Sequence, residues 1–282
     1  MKNSLAVLLT CHNRKKKTLA CLDSLHDLLI PKSFERFDIY LVDDSSSDGT
    51  AHAVAEQFPD ITLVQGNGEL FWNQGMRLAW NTAISVKGYD FYMWLNDDVF
   101  LQKEALLELY ESYQEIMKSC NKESLVTGAF KKNNHTEDFS YGGRSDWGNI
   151  VPNGEVQQCK YINGNTVLIS KNVFNRLGNL SSDYTHGMGD FDYGLRALQA
   201  GFKNVTTKRY IGVCTLNENS KWHDASLPLK KRLDLFYSPL GLNYKEYIVF
   251  RKKFWKKKWV LFSIKAYLRV LFPYFYNKIN NL

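Results

Sequence analysis

Two short acidic clusters hold the residues of this chain best suited to chemistry. Trp94-Leu95-Asn96-Asp97-Asp98 closes an apolar run, and His186-Gly187-Met188-Gly189-Asp190-Phe191-Asp192 opens a helical pattern about ninety residues later. Carboxylates at the ends of core elements are costly unless they bind something. Magnesium and manganese prefer oxygen ligands and often take only one or two carboxylates, with water and substrate phosphates completing the shell. Asn96-Asp97-Asp98 suits that chemistry, with Asp98 on the metal and Asp97 near a ribose or a water. The plainer alternative is a solvated turn after a strand. Asp190 suits a base that takes a proton from an acceptor hydroxyl, with Asp192 as a structural or acceptor contact. Either acid would also serve as a helix cap. Together the clusters imply transfer from an activated donor that carries phosphate.

These acids need elements to position them. Residues 4–10 form an apolar run without alternation, the pattern of a strand buried on both faces. Leu19, Leu22, Leu25 and Leu29 follow at helical spacing. Further strands are expected at 37–42, 61–64 and 91–95, and helices from about 50 to 58, 73 to 86 and 103 to 118. Strands that alternate with helices call for an α/β fold, a mostly parallel sheet covered on both faces. Ligands of such sheets bind beyond the carboxyl ends of the strands. Residues 10–14, Asp43-Asp44, 66–72 and 96–98 all follow strands and converge on that rim. From about 124 to 170 short strands and glycine-rich turns suggest a mixed or antiparallel acceptor side. A helix from Asp190 closes at Gly201.

Three further stretches have two readings each. Asp43 or Asp44 suits hydrogen bonds from a base imide or ribose hydroxyls, while Ser47 or Asp48 would cap the next helix. Trp72 either stacks on a sugar or base, or belongs to the core. Its neighbour Gly75 would let the backbone approach a ligand. His12, His186 and His223 are each candidate metal contacts or ordinary loop histidines, His223 being the one that follows a tryptophan.

The net charge of +7 is uneven. Ten basic residues and one acid fall between 245 and 282, which gives that segment +9 and the first 244 residues −2. A nucleic-acid binder would be basic throughout, so nucleic acid is not an expected partner. Phe250, Phe254, Trp255, Trp259 and Phe262 lie among the lysines. They suggest either peripheral contact with an anionic membrane or a packed helical pair with a solvated basic face. Five scattered cysteines without a Cys-x-x-Cys pair exclude a disulfide framework and fit a reducing compartment. No signal-peptide layout opens the chain, and no apolar run is long enough to span a bilayer.

The motifs Leu9-Thr10-Cys11-His12-Asn13-Arg14, Leu41 to Thr50, Leu95-Asn96-Asp97-Asp98, Asn163-Gly164-Asn165-Thr166 and Gly189 to Ala197 occur in this order. In order and spacing they resemble the family 2 glycosyltransferases of the GT-A fold, over roughly residues 4–215. The stretch from Gly66 to Met76 resembles bacterial enzymes of surface-polysaccharide synthesis. The resemblance implies a nucleotide-sugar donor, a divalent metal (Mg2+ or Mn2+), inversion at the anomeric carbon, and a saccharide or lipid-linked acceptor. It implies donor contacts at Thr10, Cys11, His12, Asn13, Arg14, Asp43, Asp44, Asn67, Trp72, Gln74, Gly75, Asn96 and Asp97. Asp98 would hold the metal, Asp190 would be the base, and Trp72, Asn165 and Asp192 would face the acceptor. Two positions depart from the family pattern: Asn96 replaces an acid, and Gly189 stands where Glu is common.

The expected organisation is a GT-A domain over 1–225, with a nucleotide half (1–120) and an acceptor half (121–225), followed by a helical basic extension over 226–282. The expected location is cytoplasmic, peripheral on the inner membrane. The rival enzyme class is a nucleotidyltransferase of related fold, and the rival outside enzymes is an inactive nucleotide-sugar-binding protein.

Overall fold

The four apolar runs of the N-terminal half form four parallel strands. They are β1 (Leu5–Cys11), β2 (Asp38–Asp43), β3 (Thr62–Gln65) and β4 (Phe91–Leu95), paired in the order β3-β2-β1-β4. The computed structural model describes residues 2–216, 221–274 and 276. The first three strands begin one residue later than periodicity suggests, so Asp43 is the last residue of β2 rather than part of the following turn.

Alternation along the strands sorts the core into two layers. Leu5, Val7 and Leu9 of β1 face one layer with Ile39, Leu41, Phe91 and Met93. Helices α1 (Lys15–His26), α2 (Thr50–Gln57) and α4 (Ala105–Cys120) cover it through Leu22, Leu25, Val54, Leu106 and Leu109. Ala6, Leu8, Tyr40, Val42, Tyr92 and Trp94 face the other. It is covered by α3 (Phe71–Val86), α5 (Lys171–Leu177) and α6 (Gly189–Gln199) through Met76, Trp80, Val173 and Tyr193. Burial on both faces explains why the strands carry no polar alternation.

The sheet continues across the expected division at residue 120. Strand β8 (Thr166–Ser170) pairs antiparallel with β4, placing Thr166 opposite Leu95. Beyond it come β6 (Ser124–Lys131), β9 (Lys203–Val213) and β5 (Phe100–Leu101), with β7 (Phe139–Tyr141) on β6. The two expected halves therefore share one nine-stranded sheet. Periodicity alone assigns neither α5 nor β9. The β9 strand pairs parallel with β6 but slips in register near Gly128, so its burial does not alternate.

The described chain forms two units. The first comprises Met1–Ser181 and Asp190–Leu216, and the second Ser182–Gly189 and Asn217–Leu282. This differs from the expected boundary at 225, because the segment 182–189 belongs with the C-terminal helices. Thr185 donates its backbone N–H to Glu246 at 3.0 Å, which ties that segment down. Helices α7 (Leu229–Tyr237), α8 (Tyr244–Trp255) and α9 (Trp259–Leu271) enclose Trp222, Phe236, Tyr247, Ala266 and Val270. Lys278, counted in the basic segment, lies outside the described residues.

Helix α3 sits on the end of β1 because residue 75 has no side chain. A Cβ there would lie 2.2 Å from Thr10 Oγ1 and 2.8 Å from Thr10 Cβ. Gly75→Ala is therefore expected to destabilise the fold by about 1–3 kcal/mol, measured as a lower urea midpoint at unchanged slope.

Candidate active site

The strand ends bring four clusters of predicted residues to one rim of the first unit. At the end of β2 the paired acids divide their work. Asp44 is buried, and its carboxylate accepts the backbone N–H groups of Gly68 at 2.7 Å, Leu70 at 2.9 Å and Phe71 at 3.0 Å. Those donors form the entry to α3, where free N–H groups and the positive helix end favour an anion. Gly66 permits the approach, since a Cβ there would lie 2.6 Å from Asp44 Oδ1. Asp44 is thus built into the scaffold at the entry to α3. Asp43 differs. Its Oδ1 accepts from Ser46 N at 3.1 Å, while Oδ2 is buried without a hydrogen-bond partner. That orphan acceptor is the one available for a base imide or ribose hydroxyl.

The turn after β1 is fastened to the turn after β2. His12 Nδ1 lies 2.6 Å from the Asp44 carbonyl, so this nitrogen carries the proton, and Nε2 accepts from Asn13 Nδ2 at 3.0 Å. Asn13 also accepts from Ser47 N at 2.7 Å and donates its own N–H to Ser46 Oγ. These exposed contacts shape the turn that a nucleotide would meet. Thr10 and Cys11 point elsewhere. Thr10 packs under Gly75, and Cys11 faces the core. Burial, with Asp97 and Asp43 nearby, pushes the Cys11 thiol well above its ordinary range. Both side chains pack within the fold. Asn67 is exposed and accepts from Glu69 N in a local turn. Gln74 is half-buried in the first turns of α3.

After β4 the acids Asp97 and Asp98 share one guanidinium. Arg14 Nη1 lies 3.1 Å from Asp97 Oδ1 and 3.0 Å from Asp98 Oδ2. Thr18, one helical turn beyond Arg14, donates to Asp97 Oδ2 at 3.3 Å. Burial pushes the Asp97 carboxyl up to about 6, opposed by Arg14 and reinforced by Asp98. Asp98 Oδ1 is buried without a partner. Among the described residues, no group of three or more His, Cys, Asp and Glu side chains is arranged to hold a metal ion. A hard divalent cation that shares its shell with substrate phosphate needs only one or two carboxylates, and the orphaned oxygen of Asp98 fits that requirement. His223 lies in the second unit beside Trp222, where burial and Arg269 lower its pKa.

Asn96 explains its own departure from an acid. Its amide oxygen accepts the Trp72 indole N–H at 2.6 Å, and its amide nitrogen donates to Asn165 Oδ1 at 2.6 Å. A carboxylate could accept from the indole but could not donate to Asn165. The backbones join as well, Asn96 N to Asn165 O at 2.9 Å. Asn96 and Asn165 together bridge the ends of β4 and β8. Trp72 lies edge-on to Trp94 and over Gly164, where a Cβ would come within 2.5 Å of the indole.

The N–H of Gly164 donates to Asp190 Oδ2 at 3.0 Å, and Phe191 N to Oδ1 at 2.8 Å. Desolvation outweighs these bonds and raises the Asp190 carboxyl to about 6. Arg144 opposes the rise through its charge. Asp192 takes the structural one of its two expected roles. It is fully buried and bonded to Arg196 Nε at 2.7 Å, while Arg196 also holds the carbonyls of Leu177 and Asn179. This pair pins α6 to the end of α5. Thr18, Gly164 and Arg144 are absent from the sequence-based site. Gly164 carries a signal in the Asn163-Gly164-Asn165-Thr166 motif and Thr18 in its four-residue spacing from Arg14, while Arg144 carries none.

The acids of the candidate site thus follow the strand ends of one α/β sheet. The model of glycosyl transferase family 2 matches residues 6–175. The chain belongs to this family and is a glycosyltransferase. A mannosyltransferase of Pyrobaculum calidifontis, PcManGT, solved in complex with GDP-Man and Mn2+, has a similar fold. Its TM-score is 0.57 at 15% identity, over 88% of this chain and 64% of that one. S. aureus TarS 1-349 in complex with UDP-GlcNAc has a TM-score of 0.56 at 15% identity, over 96% of this chain and 80% of that one. TarS 1-349 with UDP has a TM-score of 0.53 at 14% identity, over 93% and 75%. No curated protein sequence matches the chain. It spans less than two thirds of the mannosyltransferase's length.

The different settings of the paired acids have a measurable consequence. Asp44→Ala leaves three N–H groups without their anion and is expected to lower stability by about 3 kcal/mol in urea unfolding. Asp43→Asn keeps the shape and the bond from Ser46 and is expected to cost about 1 kcal/mol while weakening nucleotide binding. Equal stability losses in both variants would contradict the division.

Proposed function

We propose that the chain transfers a sugar, with inversion, from a nucleoside diphosphate sugar to an acceptor hydroxyl. The observation that carries the reading is Asp190. Its carboxyl is raised to about 6 and joined through Gly164, Asn165 and Asn96 to the segment that bears Asp98. The complexes of similarly folded proteins with GDP-Man and UDP-GlcNAc support a nucleotide-sugar donor.

Asp43, with its unpartnered Oδ2, receives hydrogen bonds from the nucleoside. Asp98 would hold a divalent cation, Mg2+ or Mn2+, with Asp97 beside it. The chemistry such a cation supplies is neutralisation of the leaving diphosphate. Arg14, which pairs with both Asp97 and Asp98, offsets their charge at this end of the site. Trp72, fixed through its indole N–H, forms the wall against which the sugar rests. Asp190 accepts the proton of the acceptor hydroxyl as that oxygen bonds to the anomeric carbon. The bond from that carbon to the diphosphate breaks on the opposite face, and the nucleoside diphosphate departs with the bonding electrons. A carboxyl near 6 is a stronger base than an ordinary one yet remains ionised at neutral pH. A saccharide or lipid-linked saccharide of bacterial surface polysaccharide is the acceptor class we propose, with the work done on the cytoplasmic side of the membrane. Family membership disfavours the nucleotidyltransferase, and turnover separates an enzyme from an inactive binding protein.

Asp190→Asn is expected to lower kcat by about 10²–10⁴-fold with donor affinity unchanged, and near-normal turnover would remove Asp190 from this role. Because the base must be ionised, kcat/KM is expected to be level above pH 7. It should fall as pH drops through about 6, reaching a tenfold loss for each further unit. A profile flat to pH 5 would contradict the assignment. Asp98→Asn is expected to raise the Mn2+ concentration for half-maximal activity at least about tenfold, read from metal titrations at saturating donor.

A further inference from the structure

Helix α9 buries Ala266 and Val270 in the second unit's core. Its opposite side is also apolar. Val260, Leu261, Ile264, Leu268, Leu271 and Phe272 are 39–60% exposed. At about 100° per residue they fill an unbroken arc of about 120°, with exposed Lys265 at its edge. A single 3-10 turn, Lys256–Lys258, stands at the N-terminal end of this arc, and all three lysines are exposed.

The aromatic residues among the lysines lie elsewhere. The Arg251 guanidinium lies over the rings of Phe262 at 4.1 Å, Trp255 at 4.6 Å, Tyr247 at 4.8 Å and Phe250 at 5.8 Å. Phe250 is buried and Trp255 half-buried. These rings hold α8 to α9 around a caged cation. The exposed apolar surface is instead mostly aliphatic, with Phe272 at its end, and lies on the outer face of α9.

We propose that this face, with the lysine turn, docks into the interface of an anionic lipid bilayer. Charge selects that occupant. From 245 to 276 there are nine basic residues and one acid. The acid, Glu246, is engaged by Thr185. A second copy of the same face would bring lysine turns together without countercharge. A lipid surface offers apolar depth to the aliphatic arc and phosphate to the lysines. The helix is 13 residues long, and no described helix is long and apolar enough to cross a membrane. It would lie along the interface.

The test uses the full chain with sedimented vesicles of phosphatidylcholine, alone and mixed with phosphatidylglycerol. The expected result is binding to the mixed vesicles that weakens with salt. Leu261→Glu with Leu268→Glu should abolish it. Gln at positions 256, 257 and 258 should weaken it on the order of a hundredfold. All substituted side chains are exposed, and circular dichroism checks that both variants fold. Three results would overturn the proposal. One is no binding to mixed vesicles, and another is binding unaffected by both variants. The third is a self-associated chain, in sedimentation velocity, that the Leu261→Glu and Leu268→Glu pair converts to monomer.

Discussion

A carboxylate removed from water must find donors, change its pKa or bind a cation, and the rim of this sheet is organised by how each acid meets that requirement. Asp44 is met by three backbone N–H groups at the entry to α3, and Asp192 by Arg196. Asp43 and Asp98 each keep one buried oxygen without a partner. Asp97 and Asp190 are held near a pKa of 6 by burial. Acids of one residue type and close in sequence, such as Asp43 and Asp44, thereby come to rest in different settings.

That separation needs close packing, and three glycines provide it. Gly66 admits the Asp44 carboxylate, Gly75 lets α3 rest on Thr10, and Gly164 lies under the Trp72 indole while its N–H reaches Asp190. Gly164 links the two sides of the proposed reaction. It supports the wall formed by Trp72 and also orients the base. Asn96, supplying one acceptor and one donor, fixes the same indole to Asn165 at the junction of β4 and β8.

Much of the fold was legible because burial on both sheet faces leaves strands uniformly apolar, and the helices carry clear spacing. Strands β1 to β4 lie within a residue or so of expectation, and the acids fall at the strand ends that α/β topology requires. What was hidden depends on side-chain direction and distant partners. Nothing local distinguishes Asp43 from Asp44, since the difference is made by backbone groups more than twenty residues away. Asn96 looks like a weakened metal motif until Trp72 and Asn165 are seen on either side. β9 escapes because its register slips, and α9 because both of its faces are apolar and only packing shows which is covered. The boundary near 217, with 182–189 joining the second unit, follows from contacts such as Thr185 with Glu246.

The central claim is that Asp43 and Asp98 keep their unpartnered oxygens for a metal-bound nucleoside diphosphate. Calorimetric titration of the wild-type chain with uridine, guanosine and thymidine diphosphates, in Mn2+, in Mg2+ and in chelator, tests it most directly. The account predicts saturable binding of one nucleotide that is lost in chelator and restored by adding metal. Binding of equal strength in chelator, or no binding of any diphosphate with metal present, would contradict it.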